Sequence, residues 1–522
     1  MAQDYLIGVD LGTSVVKTTL FDTAGHALAD ATRAAPLHQP APGQAEQRGE
    51  DFYAATLATI REVVAKSSAA PTSVAAIAFD GQMAGAIAID RAWHALTPWY
   101  PSALDSRYQP YVAQMQARVG DKLVARNGAL PFLAPRLLWW REQQPDLYRR
   151  IHKVLILANY VAGRMAALSA DDAFIDPSYL TWIGVSDTAR RAWSVELAEA
   201  CEIPLEKLPA IVPATAVVGK LAPDAAAACG LAAGVPLVAG AGDQVAGFLG
   251  AGLVEAGQLV DVAGTFPVLA TSLDSYFADT RHGMLQPLAG PLGPDHWYPM
   301  MYISGGGLTH RWVRDQLGAE EVRQAEATGE SVYALLDAQA ARVPPGAEGL
   351  LFIPHLVGRA CPSDPAVRGA WLGFTWTHTR AHLYRAVLES IAYDYAAALA
   401  VVREYIPDVH FSEVRVIGGG AQSALWSQIK ADVLGVPYVR LPRSDVAALG
   451  CAILAGAAVG IYPDMAATAR RFSQTVGRVE PRPAHHRHYA AYVDAYSQAF
   501  DPLRSVYQTL SALQARPFVE EE

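Results

Sequence analysis

The sequence predicts an α/β protein of two domains, and three observations carry that expectation. At 522 residues the chain is longer than one hydrophobic core usually serves. Short apolar runs that end in Gly- and Asp-containing turns alternate with stretches of helical spacing, the pattern of strands layered with helices. The two halves also begin alike. LIGVDLGTSVVKTTLF at 6–21 and QLVDVAGTFPVLATS at 258–272 each read as an apolar strand, a Gly-Thr turn and a second strand.

Taken in order, residues 6–9 form a strand that ends at Asp10, and Gly12, Thr13 and Ser14 make a turn. Residues 15–21 return as a second strand, and 22–25 turn again, so the segment is a β-hairpin with a carboxylate near its tip. Residues 51–65 have helical spacing. Residues 73–79 are a buried strand ending in Asp80-Gly81-Gln82-Met83-Ala84-Gly85, and 86–89 form another. A Pro-containing loop at 99–107 holds Asp105 and Arg107. Residues 132–142 start a helix with an early proline, 154–160 are buried and 171–188 are turn-rich. A strand at 236–240 closes in Ala241-Gly242-Asp243-Gln244, with a helix over 246–254. Small residues near Gly250 suit a join between domains 1–250 and 251–522.

Setting Gly264-Thr265 on Gly12-Thr13 matches Val268 with Val16 and puts Val262 where Asp10 stands. The sequence thus suggests a duplicated βββ unit in which only the first copy keeps its carboxylate. Residues 414–417 echo 73–85, a strand ending in Gly418-Gly419-Gly420-Ala421-Gln422, followed by a helix over 425–434. Residues 446–463 carry no charge over 18 residues, long enough for a membrane span. Their glycines, alanines and acidic flanks, Asp445 and Asp464, instead predict a helix buried against a sheet and capped by Asp445. Tyr489, Tyr492 and Tyr496 recur at helical spacing, as in a docked amphipathic helix.

Composition excludes several classes. With 52% hydrophobic and 18% charged residues the chain is globular, and a net charge of −10 without a basic block argues against nucleic acid or an anionic membrane as partner. An anionic small substrate stays open, because a site can be locally positive. The four cysteines show no CxxC spacing, which suits a reducing, cytoplasmic setting. MAQDYLIGVD enters a strand directly and shows no signal peptide. No GxxxxGK[ST] occurs, so a P-loop is out. GGGAQS at 418–423 imitates a dinucleotide fingerprint, but that reading leaves the repeated Gly-Thr hairpins without a role. His378 and His382, four apart on a helix, lack a third metal ligand, and His485, His486 and His488 read as a surface turn.

The first hairpin has the chemistry of an anion site. Gly12 lets backbone approach a bulky anion, Thr13 and Ser14 add donors, Lys17 adds positive charge, and Asp10 suits Mg²⁺. The same residues also fit a purely structural hairpin whose side chains satisfy their own backbone.

DLGTSVVK at 10–17, GDQ at 242–244, GT at 264–265 and GGGA at 418–421 together resemble the FGGY carbohydrate kinases. FLAPRLLWWRE at 132–142 resembles the family's first signature, with Arg136 where lysine is usual, and GAWLGFTWTHTRAHLYRAVLES at 369–390 resembles the second. Within the family, GQMAG at 81–85 and PHLVGRACPSDPAVRGAW at 354–371 are similar to the xylulokinase branch. Two positions depart from it: Ala84 replaces a sugar-touching histidine, and Gln244 replaces the usual asparagine.

The resemblance implies two actin-like, ribonuclease H-type ATPase domains facing across a catalytic cleft, with sugar on the N-terminal half and ATP on the C-terminal half. It implies Asp243 as catalytic base, and Asp10 together with Asp243 at Mg²⁺. Gly12, Thr13 and Ser14 would meet the γ-phosphate, Gly264 and Thr265 the β-phosphate side, and Gly418, Gly419, Gly420, Ala421 and Gln422 the adenosine, with Gly305 to Gly307 and Lys17 as further candidates at the nucleotide site. Gln82, Met83, Ala84, Asp105 and Gln244 would form the sugar pocket. The local chemistry leaves other readings open: Asp243 as a helix cap, Met83 as core filler, Asp105 as a turn residue paired with Arg107, the glycines at 305–307 as helix packing, and Lys17 pointing to solvent. The implied reaction is ATP-dependent phosphorylation of a sugar hydroxyl, D-xylulose to D-xylulose 5-phosphate, or of another pentulose, a polyol or a glycerol-like acceptor. A catalytically silent sugar sensor is the alternative of another class. Family resemblance implies a homodimer.

Overall fold

In a computed structural model, which describes residues 5–67, 69–443 and 446–514, the opening hairpin is the centre of a six-stranded sheet. Tyr5–Leu11 is apolar on both faces and nearly all buried, so it takes a central place. Val15–Asp22 and Ala27–Ala34 extend one side as antiparallel strands. On the other side Val74–Gly81 runs parallel to the first strand and Pro236–Gly242 parallel to that, and Val217–Lys220 closes the edge antiparallel. Helix Gly49–Ser67 makes the crossover between the third strand and Val74–Gly81, burying Phe52, Ile60 and Val63.

The second sheet repeats this plan. Gln258–Val262 pairs antiparallel with Val268–Thr271 and parallel with Glu413–Ile417, and Tyr438–Arg440 and Gly477–Val479 follow. Two details correct the sequence alignment. The strand beside Val268–Thr271 is Trp297–Tyr302, and the earlier strand Gln286–Ala289 pairs beyond it, so the repeat is not a plain βββ unit. The second turn is also one residue shorter. Asp10 faces Lys17 across its hairpin while Val262 faces Val268, so Val268 stands in the place of Lys17 rather than Val16. The acid of the second copy, Asp261, falls one position earlier. It is buried on the opposite side of its strand from Val262, where Lys430 Nζ lies 2.5 Å away and the Tyr395 hydroxyl donates at 2.9 Å.

The uncharged run forms helix Val446–Ala458, which packs on the first sheet although it comes late in the chain. Among the described residues no helix is long and apolar enough to cross a membrane. Asp445, read as its cap, lies outside the described residues. This helix lies against helix Asp243–Gly250 at backbone contact. A Cβ on Gly250 would stand 1.9 Å from the Val446 carbonyl oxygen, so only glycine fits. On its other side Phe248 meets Tyr298 of the second sheet edge-on, ring centroids 5.3 Å apart. Helix Asp243–Gly250, at the end of the first half, is therefore clamped between two elements of the second half, helix Val446–Ala458 and strand Trp297–Tyr302.

Tyr489 and Tyr496 are buried from helix Pro483–Gln498, as their spacing predicts. His485, His486 and His488 lie in that helix rather than in a surface turn, because Pro483 starts it upstream of them. His378 lies in the turn before helix Arg380–Tyr405, and His382 caps that helix with Thr379, so the two histidines do not share one helical face.

Candidate active site

Three aspartates meet at one end of the first sheet. Asp10 and Asp80 occupy paired positions on neighbouring parallel strands, and Asp80 pairs in turn with Ala241, two residues before Asp243. The sequence singles out Asp10 and Asp243; the structure adds Asp80 and Cys451. Asp80 is fully buried. Its Oδ2 accepts from the Cys451 thiol at 3.0 Å, and among the described residues its Oδ1 has no donor, the Asp10 carboxyl being its acidic neighbour. No periodicity or turn signal distinguishes Asp80 from an ordinary strand-end acid, and Cys451 reads as one more small residue of its helix.

Gly242 takes the helix cap position, so Asp243 is the first helical residue rather than the cap. Its Oδ1 accepts from the Gln244 backbone N–H at 2.6 Å. Burial, and then the charge of Asp10, push its carboxyl up to about 7. Burial also raises Asp10, while its contact with Asp80 and the charge of Lys17 oppose the rise. Asp80 is pushed well above the carboxylate range by burial and by Asp10. Lys17 thus faces Asp10 rather than only solvent. A carboxyl held near neutrality has the basicity that a general base needs.

The donor set fits Mg²⁺. Among the described residues no three His, Cys, Asp or Glu groups form a ready ligand cage. Mg²⁺ in kinase sites takes one or two carboxylates and fills its shell with water and phosphate oxygens, and the half-buried Asp10 carboxyl, beside the unpartnered Asp80 Oδ1, matches that need.

A second group of site candidates gathers at the corresponding end of the other sheet. Gly264 and Thr265 form the turn there. The Gly307 N–H donates to the Thr265 carbonyl at 3.1 Å, and a Cβ on Gly307 would stand 2.2 Å from the Gly264 carbonyl oxygen. Gly307 belongs to the first turn of helix Gly306–Leu317, so its packing role and its place at a helix N-terminus coexist. Gly420 N–H donates to the Ala263 carbonyl at 2.9 Å and brings the short helical turn Gly419–Gln422 alongside. Gly12, Thr13 and Ser14 form the turn of the first hairpin, with both hydroxyl residues exposed. Among the described residues no hydrogen bond joins this turn to residues 264–265.

The sugar candidates divide. Met83 is buried against Gly242, consistent with core packing, directly before Asp243. Gln82 is tied on both sides: its Nε2 donates to Gln47 Oε1 and its Oε1 accepts from Trp99 Nε1, each at 3.1 Å. Ala84 and Gln244 are half-buried. Asp105 is fully buried with both oxygens engaged. Oδ1 accepts from Arg136 Nη2 at 2.6 Å, and Oδ2 from Arg107 Nε at 2.8 Å and from the Ala45 N–H at 3.0 Å. Burial raises its carboxyl, but the two guanidinium groups and the Ala45 N–H outweigh that and hold it below the usual range. The pairing with Arg107 is the structural role the sequence leaves open, and Arg136 shares it.

Residues 5–250 match the N-terminal domain, and residues 260–459 the C-terminal domain, of the FGGY family of carbohydrate kinases. The chain is 28% identical over 517 residues to the xylulose kinase of Bacillus subtilis, with 96% of each covered. It is 31% identical over 511 residues to the autoinducer-2 kinase of Yersinia enterocolitica, covering 94% of this chain and 92% of that one. Its fold is similar to that of the ligand-bound xylulose kinase from Lactobacillus acidophilus, with a TM-score of 0.87, 23% identity and 97% and 99% of the two chains covered. The duplicated sheets are those of the actin-like ATPase architecture. With the two domain matches in order and spanning most of its length, the chain belongs to the FGGY family of carbohydrate kinases.

Proposed function

We propose that this carbohydrate kinase transfers the γ-phosphoryl group of ATP to D-xylulose, giving D-xylulose 5-phosphate. The xylulose kinase of Bacillus subtilis, similar along almost the whole chain, supports the choice of acceptor. The observation that carries the reading is Asp243, a carboxyl held near neutrality beside Asp10 at the start of a clamped helix. In this reading Asp243 takes the proton from the sugar hydroxyl as that oxygen attacks the γ-phosphorus. Asp10, with Asp243, holds Mg²⁺, which when bound neutralises charge on the phosphates. Lys17 favours the ionised form of Asp10.

Gly12, Thr13 and Ser14 offer N–H and hydroxyl donors to the γ-phosphate, and Gly264, Thr265 and Gly307 receive the phosphates beyond it. Gly419, Gly420, Ala421 and Gln422 lie along the adenosine. Gln82, Met83, Ala84 and Gln244 shape the sugar pocket. Asp105 contributes by orienting Arg107 and Arg136. Residues 1–250 carry sugar and base, residues 251–522 the nucleotide, and the active form is a cytoplasmic homodimer.

The similarity to the Yersinia autoinducer-2 kinase, together with Ala84, favours a second reading in which the acceptor is not xylulose. An ADP-release assay over pentuloses, polyols, glycerol and autoinducer-2 separates the two. ADP release driven best by D-xylulose supports the first reading. A stronger response to another acceptor replaces it, and no response to any acceptor contradicts both.

A further inference from the structure

We infer that Asp80 is a further carboxylate ligand, beside Asp10 and Asp243, for the divalent cation of this site, and that the Cys451 thiol orients it. The inference rests on Asp10 being the cation's first ligand. Its starting point is register. Asp10 and Asp80 are paired positions on adjacent parallel strands, so their side chains leave the sheet on the same face from backbones about 4.8 Å apart.

Asp80 has no solvent exposure, and among the described residues it forms no ion pair with any lysine, arginine or histidine. The groups around it are unsuited to balance a negative charge. Asp10 faces it from the first strand, Asp243 comes from helix Asp243–Gly250, and Cys451 comes from helix Val446–Ala458. Lys17, the one base among the described residues that acts on Asp10, sits on the far side of that residue, across the hairpin. A thiol is a weak donor and satisfies one oxygen only; Oδ1 is left unpartnered in the cluster.

A buried carboxyl facing a second carboxyl can ionise only if a cation lies between the two; without one it keeps a proton, which a divalent cation would displace. Mg²⁺ requires about this number of protein oxygens, the rest of its shell being water and phosphate. The S–H bond to Oδ2 leaves Oδ1 free toward Asp10. Because Cys451 comes from the second half of the chain, both halves support the ligand. The added carboxylate also gives the cation a firmer hold on the protein before any nucleotide arrives.

Mn²⁺ serves as the probe, titrated by electron paramagnetic resonance into nucleotide-free protein and again with ADP present. Wild-type protein is expected to bind Mn²⁺ without nucleotide. Asp80→Asn should weaken that binding about ten-fold or more, and Cys451→Ser, which keeps a donor, should preserve it. Thermal unfolding is the second readout. Mg²⁺ should raise the Tm of wild-type protein, whereas Asp80→Asn should start from a higher Tm in metal-free buffer and respond little. If Asp80→Asn is not recovered folded, Asp80→Ser is measured the same way. Unchanged Mn²⁺ affinity in the Asp80 variants, with and without ADP, overturns the inference, as does wild-type protein that binds no Mn²⁺ until ADP is added. A protein that phosphorylates no sugar yet loses Mn²⁺ on Asp80→Asn would sink the kinase reading alone, so the two failures are distinguishable.

Discussion

Gly450 and Ala246 touch backbone to backbone: a Cβ on Gly450 would stand 1.9 Å from the Ala246 carbonyl oxygen. The contact joins helix Val446–Ala458 to helix Asp243–Gly250, whose first residue is Asp243. Gly450→Ala should therefore force the helices apart. The expected loss of stability is about 1–3 kcal/mol, read by urea unfolding, with a fall in kcat because a base displaced by about 1 Å can lose about 100-fold. Unchanged stability and kcat would show that the helices tolerate separation.

Ionisation of Asp243 links stability to pH. Its folded carboxyl keeps its proton up to about pH 7, whereas the ordinary value is 3.8. In the unfolded chain it ionises from about pH 4, so metal-free protein should lose stability between pH 4 and pH 7 and then level off. Asp243→Asn removes this contribution. The variant should gain on wild type as pH rises from 4 to 7.5, with the gap closing near pH 4, in chemical denaturation without divalent ions.

Asp105 is expected to fail as a simple sugar ligand and to succeed as a structural anchor. Asp105→Asn leaves the buried Arg136 guanidinium without its counter-charge, at a cost of about 3–5 kcal/mol. Unfolding in the absence of sugar reads this directly. A variant as stable as wild type, with only KM for sugar raised, would return Asp105 to the pocket.

Gly307→Ala tests the second group of loops. The added methyl meets the Gly264 carbonyl oxygen at 2.2 Å, so the Gly264-Thr265 turn must shift. KM for ATP should rise several-fold while KM for the sugar stays near its original value. Equal effects on both would place this turn outside the nucleotide site.

The duplicated hairpin was legible because strands buried on both faces read as unbroken apolar runs, and because Gly-Thr marks both turns. The register was not. The one-residue difference that sets Lys17, not Val16, against Val268 is a property of turn geometry, which spacing alone does not report. Asp10 and Asp243 stand out because each closes an apolar run with a glycine within two residues. Asp80 ends one too, but what distinguishes it is a thiol 371 positions later in the chain, a contact no local pattern carries. Asp105 was legible as an acid in a loop, yet its saturation by Arg107 and Arg136 depends on a helix folding over that loop. The helical placement of His485 to His488 was missed because a histidine cluster resembles a turn unless the proline before it is read as a helix start.

The central claim is that Asp243 removes the proton from a sugar hydroxyl. Turnover with D-xylulose should be compared in wild type and Asp243→Asn, with ATP binding measured on the same samples by calorimetry. The account predicts a fall in kcat of about 10²- to 10⁴-fold with ATP binding retained; undiminished kcat in a variant that still binds ATP would contradict it.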